Sequence, residues 1–280
     1  MSNSPIARQF RRDAMFRVGA LLVAAVVLAA LLAPVLTPYN PVVGDLKHAY
    51  LAPPGTSFPL GADTQGRDVL TRVLYGARIS LAVGVISQLV AVLLGVTLGL
   101  TAGYYGRWID SAVMRLADVT LAFPTLLLLI AVAAAVRPSL LVVFGIIGAV
   151  GWAGMARLVR SQVLVLRQSE YVLAARALGA RDGRILLRHL LPNVVAQVIV
   201  AATLGMAGAI MAEAALSFVG LGAQPPTPSW GSMVAEGREL LRVAPWVSFA
   251  PGVAIGVAVL GFNLVGDGLR EAWDPKLRRL

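Results

Sequence analysis

Arg176, Arg181, Arg184 and Arg188 lie within the twenty residues 174–193, "AARALGARDGRILLRHLLPN", of a chain in which only 14% of residues are charged. Guanidinium groups pair with carboxylates or phosphates, and the alanines between them let another backbone approach closely. That is the chemistry of docking rather than of bond breaking. The sequence contains no cysteine, and its two histidines, His48 and His189, are far apart, so thiolate and zinc chemistry have no ligand set. No GxxxxGK[ST], HExxH, GxSxG or paired-aspartate motif occurs in it either. The sequence therefore offers neither a phosphate-loop ATPase nor an intramembrane hydrolase.

The elements that must position the basic stretch are apolar. Hydrophobic residues make up 58% of the chain, and mean hydropathy is +0.78. Uncharged runs at 18–36, 79–101, 119–136, 140–156, 194–216 and 246–265 predict six membrane-crossing helices. The first follows Arg8, Arg11, Arg12 and Arg17, but it is longer than a signal-peptide core and "LLAPVLTP" is a poor cleavage site, so it reads as a retained span.

Six crossings put both termini on one side. With the N-terminus inside, 17 Lys and Arg residues face the cytoplasm and 7 face out, so the positive-inside rule places both termini in the cytoplasm. The net charge of +10 then reads as a topology signal beside anionic lipid rather than a nucleic-acid footprint. The same orientation puts 174–193 in the cytoplasm. It leaves 40–76 and "GAQPPTPSWG", 222–231, outside.

Tyr171, Ala174, Ala175 and Leu178 fall at i, i+3, i+4 and i+7 of a short helix that Gly179 should end. Asp182 is suited to cap a second helix whose Arg181, Arg184 and Arg188 fall on about one side, ahead of Pro192 and Asn193 at the start of the next span. Such a helix-turn-helix could dock in a groove on a partner protein, or rest on anionic lipid headgroups. Glu213 closes a long uncharged run; it could line a polar path, or pack a helix as a protonated or hydrogen-bonded carboxyl. Asp118 and Arg115 could pair across a helical turn, as interfacial anchors or near a path, and Pro124 could kink the same span. Asp63, Arg67 and Asp68 form either an outer docking patch or local salt bridges, and Trp230 either a docking ledge or an interfacial anchor. Gly95, Gly99 and Gly103, each four apart, make a small-residue stripe for close helix packing, within the bundle or against a second subunit.

The spacing of "LAARALGARDGRILLRHLLP" resembles the EAA loop of the membrane subunits of binding-protein-dependent ATP-binding-cassette importers. Ala174, Ala175, Gly179, Leu191 and Pro192 match that pattern, while Leu173 stands at its Glu position and His189 at its Ile position. "PLGADTQGRDVLTRVLYGARISL", "DVTLAFPTLLL", "AEAALSFVGLGAQPPTPSWG" and "GDGLREAWDPKLR" look like blocks of the dipeptide, oligopeptide and nickel branch, in order over 59–278, and of its C-type permease in particular. The resemblance implies an all-α polytopic membrane protein of the type I importer fold in the plasma (inner) membrane. Residues 1–75 would hold the N-terminal tail, first helix and external loop; 76–267 the core domain, with a coupling loop near 167–193; and 268–280 a cytoplasmic tail.

The resemblance also implies functional roles. Leu173, Ala174, Ala175, Gly179, Arg184, Arg188, Leu191 and Pro192 would meet a separate ATPase, and Glu213, Asp118 and Pro124 would be candidates for the translocation path. No cofactor would bind this chain directly, because ATP would be used by the partner ATPase. Implied partners are a second homologous permease subunit forming a heterodimer, one or two ATPase subunits, an external substrate-binding protein and the lipid membrane. The cargo would be a dipeptide or oligopeptide, with nickel or another small solute as alternatives. An ion-coupled secondary transporter using Glu213 is the competing class.

Overall fold

The computed structural model describes residues 13–273 apart from Pro138. Arg8, Arg11 and Arg12, and the part of the final block beyond Trp273, lie outside the described residues. Helix α1 spans Ala14–Leu36, capped where the Asp13 carboxylate accepts the Met15 N–H at 2.8 Å. Pro34 lacks an N–H, so the Ala30 carbonyl has no ordinary helical donor. Arg78 fills that vacancy, its Nε donating to Ala30 at 2.6 Å.

Helix α2, Val69–Tyr105, runs 37 residues, about 55 Å at 1.5 Å per residue. It begins ten residues before the run expected to start at 79, because Asp68 caps it by accepting the Thr71 N–H at 2.8 Å. Its glycine stripe faces helix α5, Leu140–Leu166. A Cβ at Gly95 would stand 2.5 Å from Met155 Cβ, and one at Gly99 would stand 2.6 Å from the Ala156 carbonyl oxygen. The stripe therefore builds the bundle itself.

The third expected span is not a straight crossing. Helices α3, Arg107–Ala122, and α4, Thr125–Ala134, meet at 91°. The residue before a proline is driven out of the α region, and Phe123 is extended at ψ 141°, so Pro124 stops one helix and starts the next rather than kinking a continuous one. The fourth span runs past its expected end at 156, since Arg157 and Arg160 are paired with acids of α3 and need not mark a membrane boundary.

After the short helix α6, Glu170–Ala177, helix α7 runs without interruption over Asp182–Phe218. Helix α8, Trp230–Gly237, lies in the loop before α9, Trp246–Trp273. Helices α1, α2, α5, α7 and α9 are each long and apolar enough to cross a membrane, and α3 with α4 makes a sixth crossing if the bent pair counts as one. The described residues contain no strand, only an isolated bridge between Ala62 and Asp68.

Candidate coupling surface and path residues

Helix α6 is short and needs tertiary anchoring to hold its shape. Val172 supplies it, fully buried with Ile185, Leu190 and Val194 of α7 against Leu100, Tyr104, Val159 and Val163 of α2 and α5. A second, polar tie fixes the turn. The Tyr104 hydroxyl donates to Asp182 at 2.6 Å, and the Arg176 guanidinium lies 5.3 Å from the Tyr104 ring centre. Asp182 is thus committed to Tyr104, and it does not act as the helix cap expected of it: Arg181 occupies the cap position.

Gly179 ends α6 at φ +78°, with its N–H donating to the Arg176 carbonyl and the Ala180 N–H donating to the Ala175 carbonyl. These two bonds form a Schellman cap, which needs the left-handed conformation that glycine adopts without strain. A Cβ built at Gly179 would have no neighbour within 4 Å among the described residues. The glycine is required by the backbone, and the space beside it is open.

The second half of the turn differs from the separate helix expected before Pro192. Ile185–Leu190 is π-helical and joins directly to the rest of α7, the Leu191 N–H reaching back five residues to the Leu186 carbonyl. Pro192 cannot donate to residue 188 and would clash with it in a tight helix. Widening the turn relieves the clash, and the Asn193 side-chain amide donates to the His189 carbonyl at 2.6 Å.

With one face anchored, the other points outward. Leu178 is 89% exposed and Leu173 50%, with Tyr171, Ala174, Arg184, Arg188 and Pro192 exposed and Ala175, His189 and Leu191 half-buried. The periodic face 171, 174, 175 and 178 is therefore the outward ridge, and Val172 is the residue that faces the core. Small side chains on a firmly held ridge, flanked by free-facing arginines, suit a groove with carboxylates at its rim.

The path candidates do not meet in one place. Asp118 pairs with Arg157 of α5 and not with Arg115, because α3 lies alongside α5 and brings an acid of one helix to a base of the other. Asp110 and Arg160 repeat the arrangement, with a 2.6 Å bond from the second guanidinium nitrogen. Pro124 is the break between α3 and α4. Glu213 is fully enclosed, accepting the hydroxyls of Ser217 at 2.6 Å and Ser229 at 2.8 Å, so its carboxyl packs helices and faces no open path in this conformation.

Asp63, Arg67 and Asp68 are buried rather than displayed as a docking patch. Arg67 Nε donates to Asp63 at 2.7 Å, Arg72 also pairs with Asp63, and both arginines reach Glu236 of α8, Arg72 at 2.8 and 3.1 Å. Burial by itself would push the Asp63 carboxyl up, but the Arg67 backbone N–H and the Arg72 and Arg67 charges outweigh it and hold the group below the usual carboxylate range. Glu236 lies more than 160 residues along the chain from Arg72. Of the two readings, local salt bridges hold for Asp63 and Arg67, while sequence reasoning missed Arg72 and Glu236, for which the available signal was an arginine standing just ahead of an apolar run.

Residues 95–279 match the family described as binding-protein-dependent transport system inner membrane component. The chain belongs to that family. Residues 5–54 also match the N-terminal transmembrane domain of oligopeptide transport permease C, extending the likeness to the first helix. The dipeptide transport system permease protein of Alkalihalophilus pseudofirmus is 45% identical over 97% of this chain and 89% of its own length. The oligopeptide transport system permease protein of Bacillus subtilis is 39% identical over 97% of this chain and 88% of its own. The glutathione transport system permease protein of Pectobacterium atrosepticum is 47% identical over 80% of this chain and 75% of its own. The chain is accordingly a multi-pass plasma-membrane protein with the type I importer membrane-domain fold.

Proposed function

We propose that this chain is a non-catalytic permease subunit of an ATP-driven peptide importer. It would build half of the translocation path and receive mechanical work through α6, Gly179 and the first turns of α7. The observation that carries the reading is the outward ridge of Leu173, Ala174 and Leu178, held from behind by buried Val172, Ile185 and Leu190. A ridge that were merely sticky would have no need of so firm a mount, whereas a surface that passes on displacement needs one. The ATPase must bind it differently in two states, because a contact of equal strength in both shifts no equilibrium.

The ATPase, a second permease subunit and an external binding protein are separate chains in this reading, and ATP is consumed in the first of them. The cargo is a peptide, in keeping with relatives named for dipeptide, oligopeptide and glutathione transport. With α3 and α4 counted as one crossing, both termini and the coupling ridge lie in the cytoplasm, the side that the arginine count favours.

The test is affinity purification from native membranes in mild detergent, with mass spectrometry of the associated chains. Recovery of a phosphate-loop ATPase and a second multi-span subunit, lost on altering Ala174–Gly179, is the expected result. Recovery of the chain alone, with uptake driven by an ion gradient, would overturn it.

A further inference from the structure

Helix α7 starts at the coupling surface and ends beside α8, so a single rod of 37 residues, about 55 Å long, joins the two faces of the molecule. Its far end is fastened to α8 by an enclosed carboxyl. Glu213 accepts the Ser229 hydroxyl at 2.8 Å, and Ser229 in turn caps α8 by accepting the Ser232 N–H at 3.1 Å. Beside that bond the backbones are in close contact, since a Cβ at Gly231 would lie 2.5 Å from Ala214 Cα.

The other end of α8 is fastened to α2. Glu236 accepts from Arg67 and from both terminal nitrogens of Arg72, and these arginines are 4% and 2% exposed while Glu236 itself is 34% exposed. At the Glu213 end, Trp230 also ties α8 to α2, its indole N–H donating to the Val73 carbonyl at 2.9 Å. Two carboxylates of different helices thus hold one short helix between α7 and the start of α2.

The two fastenings are not alike. The Glu236 side is charge-assisted and multiply bonded, the stronger kind of contact. On the Glu213 side two neutral hydroxyls go to one oxygen, and the other, Oε2, is buried without a hydrogen-bond partner among the described residues; on the Glu236 side Arg72 Nε also lacks one, but both terminal nitrogens of that guanidinium are paired with Glu236. A buried acceptor left unfilled is a costly arrangement, so a second arrangement of this joint can compete with the one observed.

We infer that α8 is a strap that makes the external ends of α7 and α2 move together, with Glu213 and Glu236 as its positioning residues and the Glu213 joint as the one that rearranges. The inference rests on the coupling role proposed above for the α7 start. Displacement of that start by the ATPase is carried along the rod, through Glu213 and Ser229 into α8, and through Glu236 to Arg67 and Arg72.

The natural lack of cysteine makes the test direct. In the full transporter, Ala235→Cys on α8 reports by its thiol-labelling rate, measured nucleotide-free and with nucleotide trapped. Expected is a change of about 5-fold or more, the lower edge of ordinary allosteric coupling. Glu213→Ala or Glu236→Ala should abolish that change while the ATPase still copurifies, Glu213→Gln should keep it, and the double alanine variant should be no worse than either single one. Ser229→Ala, which leaves the carboxyl in place, serves if Glu213→Ala does not accumulate. A normal nucleotide response in both single variants, or additive losses, would overturn the strap. Failure of the ATPase to bind the unaltered chain would instead overturn the coupling role on which it rests.

Discussion

Replacing Gly179 by valine separates the coupling surface from the fold that carries it. A non-glycine residue in the left-handed region costs roughly 1–2 kcal/mol, with β-branched residues at the unfavourable end. No atom of the described residues would meet the new Cβ, so the cost falls on the Schellman turn and spares the buried mount at Val172, Ile185 and Leu190. That energy lowers the population of the docking-competent turn by roughly 5–30-fold. Copurification of the ATPase should fall by a similar factor, with membrane insertion and thermal stability in detergent unchanged. Gly179→Asn is the control: asparagine tolerates the left-handed backbone but adds the same side-chain stem. Intact binding with asparagine and lost binding with valine would locate the effect in the backbone, and equal loss in both would locate it in contact with the partner. Wild-type ATPase recovery and uptake in Gly179→Val would refute the docking assignment.

The remaining expectations concern the frame. Arg72→Ala leaves Asp63 buried with one guanidinium partner fewer, and the loss of a buried partner should cost about 3–5 kcal/mol, read as a lower unfolding temperature in detergent. Gly99→Leu would drive a side chain into the Ala156 carbonyl and Val159, and the overpacking, about 1–3 kcal/mol or more, should deplete the folded species on size-exclusion chromatography. Because the folded Asp63 pKa lies below its ordinary value, its contribution to stability is complete above about pH 4 and is lost as pH falls through the lowered value. Proteolysis of the 40–68 loop at graded pH should show that segment opening only in acid, and equal cleavage at neutral pH would contradict the sign.

Hydropathy made the apolar runs legible because lipid and helix packing demand the same residues. It failed where charge entered a helix in company. The α2 start and the α5 end both lie beyond the expected boundaries since Arg72, Arg157 and Arg160 find acids on other elements, and those pairings are set by tertiary contact. Pro124 was visible in the sequence, yet whether a proline kinks a helix or ends it depends on whether neighbours shield the freed carbonyls. At the coupling loop the glycine stop and the outward face of 171, 174, 175 and 178 follow from helical periodicity, while the π turn before Pro192 answers a steric conflict that periodicity does not encode. The pairing of Asp182 with Tyr104, 78 residues away, was beyond any local reading.

The central claim, that the α6 ridge is where force enters, is tested most directly at Leu178, the exposed tip of the ridge. In the cysteine-free chain, Leu178→Cys carrying a short photo-cross-linker should join this subunit to a phosphate-loop ATPase, with a yield that changes between the nucleotide-free and nucleotide-trapped states. Cross-links to lipid or to a second copy of this chain alone, unaffected by nucleotide, would contradict the account.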